Sequence, residues 1–384
     1  MSKKLIFIGS LPTSKLFGEK LDAWWFSNHG FEVEFWDLSK LFFTNDRLSA
    51  YFGGKHDYRY IGPGHRIFEN VDEAKGALSE IADGTIVWHI SRFYKLAPDD
   101  WIFAELRRRN ISYCLQHFDT LIEPTSIGQK PRYWLRTQRQ RYLNKQLAPE
   151  FVVGSGRLGR KQSQSVVPQA RFVSIPSIKV LWRPSEPIAD GAYNLFVDEN
   201  VDYAPDANML GYTISSDPDA YYARMNKLFD DIEEWSGSPV IIAASGKYHY
   251  KQDRFNGRPL IYGQTLRLIQ HARGVIGHMS LALEQCLVSE KPLLVVDDPS
   301  FTVEKRRGYP LSLIHLLIKP INVEEVSKQT YLQAMSLKME NMRNLVLDYL
   351  KEDSVTSDYY SIISSELGVD AKFERRQTSE KAGK

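Results

Sequence analysis

Cysteine is nearly absent from this chain. Its two copies, Cys114 and Cys286, each sit inside an apolar run, so no disulfide framework and no cysteine-built zinc site is expected. Long apolar runs are missing as well. The longest, near "LSLIHLLI", falls far short of the ~20 residues a membrane-spanning helix needs. The opening "MSKKLIFIGS" runs straight into a strand, without the apolar core or cleavage site of a signal peptide, so the expectation is a cytoplasmic protein. Neither sign of charge dominates: the formal net charge is +2, which makes any basic surface local. With no recognisable nucleic-acid module either, nucleic acid is not an expected partner. No short-period repeat and no low-complexity block interrupts the chain.

What is present is a globular composition: 43% hydrophobic and 25% charged residues rule out a disordered chain, and 384 residues suit two domains. "KKLIFIG" reads as a buried strand, "SKLFGEKLDAWWFSNHG" as a helix closed by Gly30, and "FEVEFWDL" as the next strand. Residues 40–80 read as irregular. Order returns with the strand "GTIVWHIS", the helix "PDDWIFAELRRRN", the strand "ISYCLQHF", the helix "KPRYWLRTQRQRYLNKQL" and the strand "PEFVVGSG". "RLGRKQSQSVVPQA" is the poorest stretch for packing, and the strand "RFVSI" follows it.

The second half repeats the style. "AYNLFVDEN" is a strand ending in acids. Asp217 caps a helix with Pro218 in its first turn, along which Tyr221, Met225, Leu228, Ile232 and Trp235 keep helical spacing. "PVIIAAS", "GVIGH" and "PLLVV" read as further strands, Thr265 as the cap of the helix "LRLIQHAR", and Ser280 as the start of another. Asn322 and Glu325 form a capping-box pattern for a long C-terminal helix with Met335, Met339, Met342 and Val346 on one face.

Strands alternating with helices of this length imply βαβ units and parallel sheets. The predicted fold is α/β: two Rossmann-like domains facing across a cleft, split near residues 176–192, with the C-terminal helix packing back. The domains are taken as 1–180 and 190–325, with C-terminal helices over 322–366 and a loose tail at 370–384.

In parallel sheets, ligands bind beyond the carboxyl ends of the strands. The polar residues expected there are Gly9, Ser10, His89–Arg92 and His117–Asp119 in the first domain, and Asp198, Glu199, Ser245–Tyr250, His278–Ser280 and Asp297–Asp298 in the second. A helix opening at Ser280 would offer unpaired backbone N–H groups and the positive dipole end to a phosphate, with His278 as a second donor. On the local pattern alone, the plainer reading is that Ser280 is an N-cap and His278 packs at a strand end. Asp297 and Asp298 lack further ligands at metal spacing and read as a turn. Gly154 and Gly156 lack the third glycine and acidic partner of a dinucleotide fingerprint.

Residues 193–298 resemble the donor domain of bacterial glycosyltransferases with two Rossmann domains, the group that builds capsule and lipopolysaccharide. The resemblance lies in "LFVDENVDYAPD", where a strand ends in acids before a Pro-Asp pair, and in "YGQTLRLIQHARGVIGHMSLALEQCLVSEKPLLVV". It is looser over the first half. It extends to sialyl- and Kdo-transferase-like enzymes, whose His-Pro and Ser-Ser/Thr motifs contact CMP. Here "SGK" (Ser245, Gly246, Lys247) stands in place of His-Pro, and Leu281 in place of the Thr.

The resemblance implies a glycosyltransferase moving a sugar from a nucleotide donor, a CMP-nonulosonate or Kdo type or a UDP-sugar, to a growing bacterial surface glycan. Of Asp198 and Glu199, one is the implied catalytic carboxylate, Asp198 before Glu199. Lys247, His249, Thr265, His278, Ser280 and Glu284 are implied on the donor side, and Ser10, His89 and His117 on the acceptor side. No metal or other cofactor is implied. A basic helix carrying Arg132, Arg136, Arg139, Arg141 and Lys145 among Tyr133, Trp134 and Tyr142 suits peripheral contact with the anionic inner membrane and a lipid-linked acceptor, as well as it suits a solvated helix face. Two alternatives stand beside the transferase: a degenerate glycan- or partner-binding subunit, and an epimerase of nucleotide sugars.

Overall fold

The computed structural model describes residues 3–12, 23–51, 64–90, 100–116, 149–175, 186–189, 191–246, 249–306, 318–337 and 359–367. Lys247, Ser91, Arg92, His117–Asp119, the basic stretch 132–145 and the positions Met339, Met342 and Val346 lie outside them.

Two separate parallel sheets carry the fold. The first contains β1 (Lys3–Gly9), β2 (Phe31–Asp37), β3 (His65–Ile67), β4 (Ile86–Ile90), β5 (Tyr113–Gln116), β6 (Phe151–Gly154) and β7 (Arg171–Ser174). The second contains β8 (Asn194–Val197), β9 (Val240–Ala244), β10 (Leu260–Tyr262), β11 (Gly274–Gly277), β12 (Leu293–Asp297) and β13 (Ile321–Asn322). The strand orders are β3-β2-β1-β4-β5-β6-β7 and β10-β9-β8-β11-β12-β13. Each is the doubly wound order, which reverses direction beside its first strand and opens a crevice there. In the second sheet that point lies between β8 and β11, with Val197 beside Gly277.

The strands are apolar on both faces because helices cover both. Alternation then decides which core each residue joins. Leu195 and Val197 pack with Leu268, Val275 and Leu287, while Phe196 packs with Phe229, Phe255 and Ile276. In β1, Ile6 and Ile8 face Leu78, Phe103 and Leu106, while Leu5 and Phe7 face Phe26, Trp88 and Ile363.

Ile363 belongs to the helix Tyr359–Glu366, which returns to the first sheet. Lys3 Nζ donates to the Leu367 carbonyl at 3.0 Å, and Arg171 pairs with Glu366 at 2.5 Å. The halves meet through segments leaving the carboxyl ends of β2 and β8. There the Tyr203 hydroxyl donates to the Ala50 carbonyl, and an Arg47 nitrogen would lie 3.2 Å from a Cβ placed on Gly211.

Several local expectations differ. Residues 40–80 hold β3 and the helices Asn45–Tyr51 and Val71–Ser79, the latter capped by Asn70 accepting from Glu73 N at 2.9 Å. The polar stretch after β6 is the helix Gly156–Val166, which buries Ser163. Asn322 caps only a short 3-10 turn, Val323–Glu325; the reciprocal capping box is Ser327 with Thr330, opening Lys328–Ser336. Thr265 is the first residue of its helix, and Gln264 occupies the cap position. Asp217 does cap its helix, accepting from Ala220 N at 3.1 Å, and Tyr221, Met225, Leu228 and Ile232 are buried along it. Among the described residues no helix is long and apolar enough to cross a membrane.

Candidate active site at the crevice of the second sheet

The chain leaves β8 through Asp198, Glu199 and Asn200, and this turn carries the two candidate carboxylates. Asp198 stays on the Phe196 side, where the Tyr250 hydroxyl donates to its Oδ2 at 2.8 Å and the Asn200 N–H to its Oδ1 at 3.0 Å. Asn200 adopts φ +51°, a left-handed conformation that Asn tolerates better than most residues. Its Oδ1 accepts from Tyr203 N at 3.1 Å, which folds the turn on itself. The Tyr222 hydroxyl lies 3.0 Å from that of Tyr250 and extends the chain of donors. Asp198 is only 6% exposed. Burial outweighs the Tyr250 and Asn200 bonds and pushes its carboxyl up to about 7, the range in which a carboxylate accepts and returns a proton.

Glu199 turns the other way. Its Oε1 accepts the Met279 N–H at 2.7 Å, and its Oε2 pairs with the Lys305 ammonium. Burial would raise its carboxyl, but the Lys305 ammonium and the Met279 N–H together hold it below the usual carboxylate range. Glu199 is therefore a charged, partnered group that clamps the turn after β11. Lys305 comes from the short helix Val303–Arg306 and is buried, a position that sequence pattern does not single out.

His278 is fully buried, and both ring nitrogens bond inside the protein. Nδ1 donates to the Val296 carbonyl at 2.8 Å, which leaves Nε2 to accept from the Tyr221 hydroxyl at 2.8 Å. Phe196 and Phe301 pack edge-on around the ring. Burial, stronger than the pull of Glu199, lowers its pKa and keeps the ring neutral. The expected phosphate donor is thus a core histidine that braces β11 against β12.

Nor does an α-helix open at Ser280. A 3-10 turn spans Leu281–Leu283, and the α-helix is only Glu284–Val288, too short to offer the expected dipole. Ser280 is half-buried, and its Oγ accepts from Ala282 N at 3.2 Å. Glu284 is buried in the first turn of that helix.

Of the remaining expected residues, His249 is exposed and stacks on Tyr262 at 4.1 Å, beside the Tyr250 that holds Asp198. Thr265 is half-buried at its helix start. Ser10 is half-buried just beyond β1. His89 is fully buried with its ring 4.7 Å from Phe103, so it packs in the first core. Asp298 forms a turn with the Ser300 N–H at 2.9 Å and receives a two-pronged bond from Arg224 at 2.7 and 2.9 Å. The crevice thus brings together Asp198, Tyr250, Tyr222, Glu199, Lys305 and the Met279 N–H. Tyr250 lies at the end of the polar stretch Ser245–Tyr250 expected beyond its strand, though its bond to Asp198, 52 residues away, is not legible there, and Lys305 escapes sequence reading because its partner lies 106 residues away.

No protein-family model and no curated protein matches the sequence. Solved structures do match in fold. The crystal structure of LpCGTa in complex with UDP superposes with a TM-score of 0.52 at 8% identity, covering 96% of this chain and 99% of that one. Glycyrrhiza uralensis UGT73P12, complexed with glycyrrhetinic acid 3-O-monoglucuronide, superposes with a TM-score of 0.50 at 12% identity, covering 96% of both chains. The chain has the α/β fold of glycosyltransferases built from two Rossmann-like domains.

Proposed function

We propose that this protein is a glycosyltransferase that takes a sugar from a nucleotide donor held at the second sheet and passes it to an acceptor on the side of the first. The observation that carries the reading is Asp198: a carboxyl titrating near 7, oriented by Tyr250 and Asn200, at the strand end that borders the ligand crevice. Such a group suits a general base that deprotonates an acceptor hydroxyl better than a nucleophile, which has to be charged throughout. The UDP in the LpCGTa complex favours a UDP-sugar over a CMP-linked donor. The motif resemblance favours a growing bacterial surface glycan as acceptor. In this reading residues 1–180 form the acceptor domain and 190–325 the donor domain, residues 132–145 touch the inner membrane, and no metal takes part.

A second reading, a transferase-like subunit that binds without turnover, draws on the withdrawal of His278 into the core and of Glu199 onto Lys305. Nucleotide binding is common ground for both enzyme and degenerate enzyme and is tested first. A ligand that binds only the folded state at a hundred times its Kd adds ~2.7 kcal/mol of apparent stability. In a thermal-unfolding screen with UDP, CMP, GDP and dTDP, UDP is expected to give the largest rise in Tm. No rise with any of the four would contradict the nucleotide-sugar reading altogether.

A further inference from the structure

We infer that the Glu199 carboxylate occupies the anion subsite of the crevice, and that a donor phosphate binds by displacing it from Lys305 and the Met279 N–H. The inference rests on the nucleotide-sugar reading for the identity of the anion, and on geometry for the place. Glu199 Oε1 takes a backbone N–H from the turn after β11, and Oε2 takes a cation. A backbone N–H beside an ammonium is the donor set that phosphoryl oxygens use.

Three elements converge to build this set: the end of β8, the turn after β11 and the helix Val303–Arg306. They meet beside the point where the strand order reverses, the place at which such sheets bind ligands. Stability alone is a weak reason for the arrangement, because a buried ion pair is often no better than well-packed apolar residues. Nor is the carboxylate sealed in. The Glu199 side chain keeps 11% of its surface exposed against 5% for Lys305, so rotation toward solvent frees the cation while the cation itself stays in place. Among the described residues, Arg224 has Asp298, Arg254 has Asp202 and Asp219, and Arg306 lies 3.5 Å from Asp297. Exchange at Lys305 swaps one anion for another at the rim of the sheet and leaves those pairs intact.

Calorimetric titration with inorganic pyrophosphate tests the inference, using wild type, Glu199→Gln, Lys305→Met and the double variant. Lys305→Met alone strands a buried carboxylate and risks misfolding, so the double variant, which removes both charges, carries that arm. Glu199→Gln removes the internal competitor, and pyrophosphate is expected to bind about threefold to tenfold more tightly than to wild type. The double variant is expected to bind at least about tenfold more weakly than Glu199→Gln. Equal or weaker binding by Glu199→Gln, absence of binding by both wild type and Glu199→Gln, or a double variant as tight as Glu199→Gln would each overturn the displacement. The titration contains no nucleotide and no sugar. Its failure therefore leaves the transferase reading standing, and a failed sugar transfer leaves the pyrophosphate pattern intact.

Discussion

Raising the Asp198 carboxyl from 3.8 to about 7 makes it a liability for folding at neutral pH. The sign follows from linkage: a group whose folded-state pKa lies above its unfolded value contributes stability below the unfolded pKa. That contribution is lost as pH rises through the folded value. For a shift of this size the loss between about pH 4 and pH 7 is at most on the order of 4 kcal/mol. Asp198→Asn cannot ionise, so the difference in unfolding free energy, wild type minus variant, is expected to fall steadily from pH 4 to 8. Urea midpoints across that range measure it. A difference independent of pH would show that Asp198 is charged throughout and is no base near neutrality. His278 shows the opposite outcome for a strand-end polar residue. Tyr221 and Val296 lie 57 and 18 residues away, and nothing in "GVIGHMS" announces them.

Among the elements, Gly277 decides how β11 hands over to the turn that holds the site. A Cβ at Gly277 would stand 2.7 Å from Leu283 Cδ2, and Leu283 is fully buried in the core of the second sheet. That side chain is packed within the core it shares with Val197, Val275 and Leu287, so it has to shift against them. Gly277→Ala is therefore expected to destabilise by about 1–3 kcal/mol through overpacking. Adding Leu283→Val should recover part of that loss. Unchanged urea midpoints in the single variant would show that the turn is slack.

This element also marks how far the sequence could be read. Buried parallel strands are continuous apolar runs, so β1, β4, β8, β9, β11 and β12 are visible as such, while β2 shows as an alternation of apolar residues with Glu32 and Glu34. β3, β10 and β13 span three, three and two residues, too few to show any pattern. The 3-10 turn at Leu281–Leu283 looks helical in composition but shortens the α-helix to five residues, which defeats the phosphate argument at Ser280. Asp198 was legible because the end of a strand is itself a functional address. Lys305 was not, because long-range packing rather than local spacing brings it there, and for Tyr250 only its place after a strand could be read, not its bond to Asp198.

Across the whole molecule, the two crevice-bearing sheets meet through the segments that follow β2 and β8, joined by Tyr203 and Ala50. The turn that orients Asp198 is the same one that leads into this contact, through Asn200 and Tyr203 N. The candidate base therefore sits beside the contact between the two halves, the place that the proposed transfer between two bound substrates calls for. The most direct test is turnover of UDP-sugars by wild type and Asp198→Asn, read as transfer or as donor hydrolysis, beside a UDP titration of each. Asp198→Asn is expected to keep UDP affinity within about threefold, while kcat falls by ~10²-fold or more, as for loss of a general base. Equal turnover by the two proteins, or none by wild type with any UDP-sugar, would contradict the account.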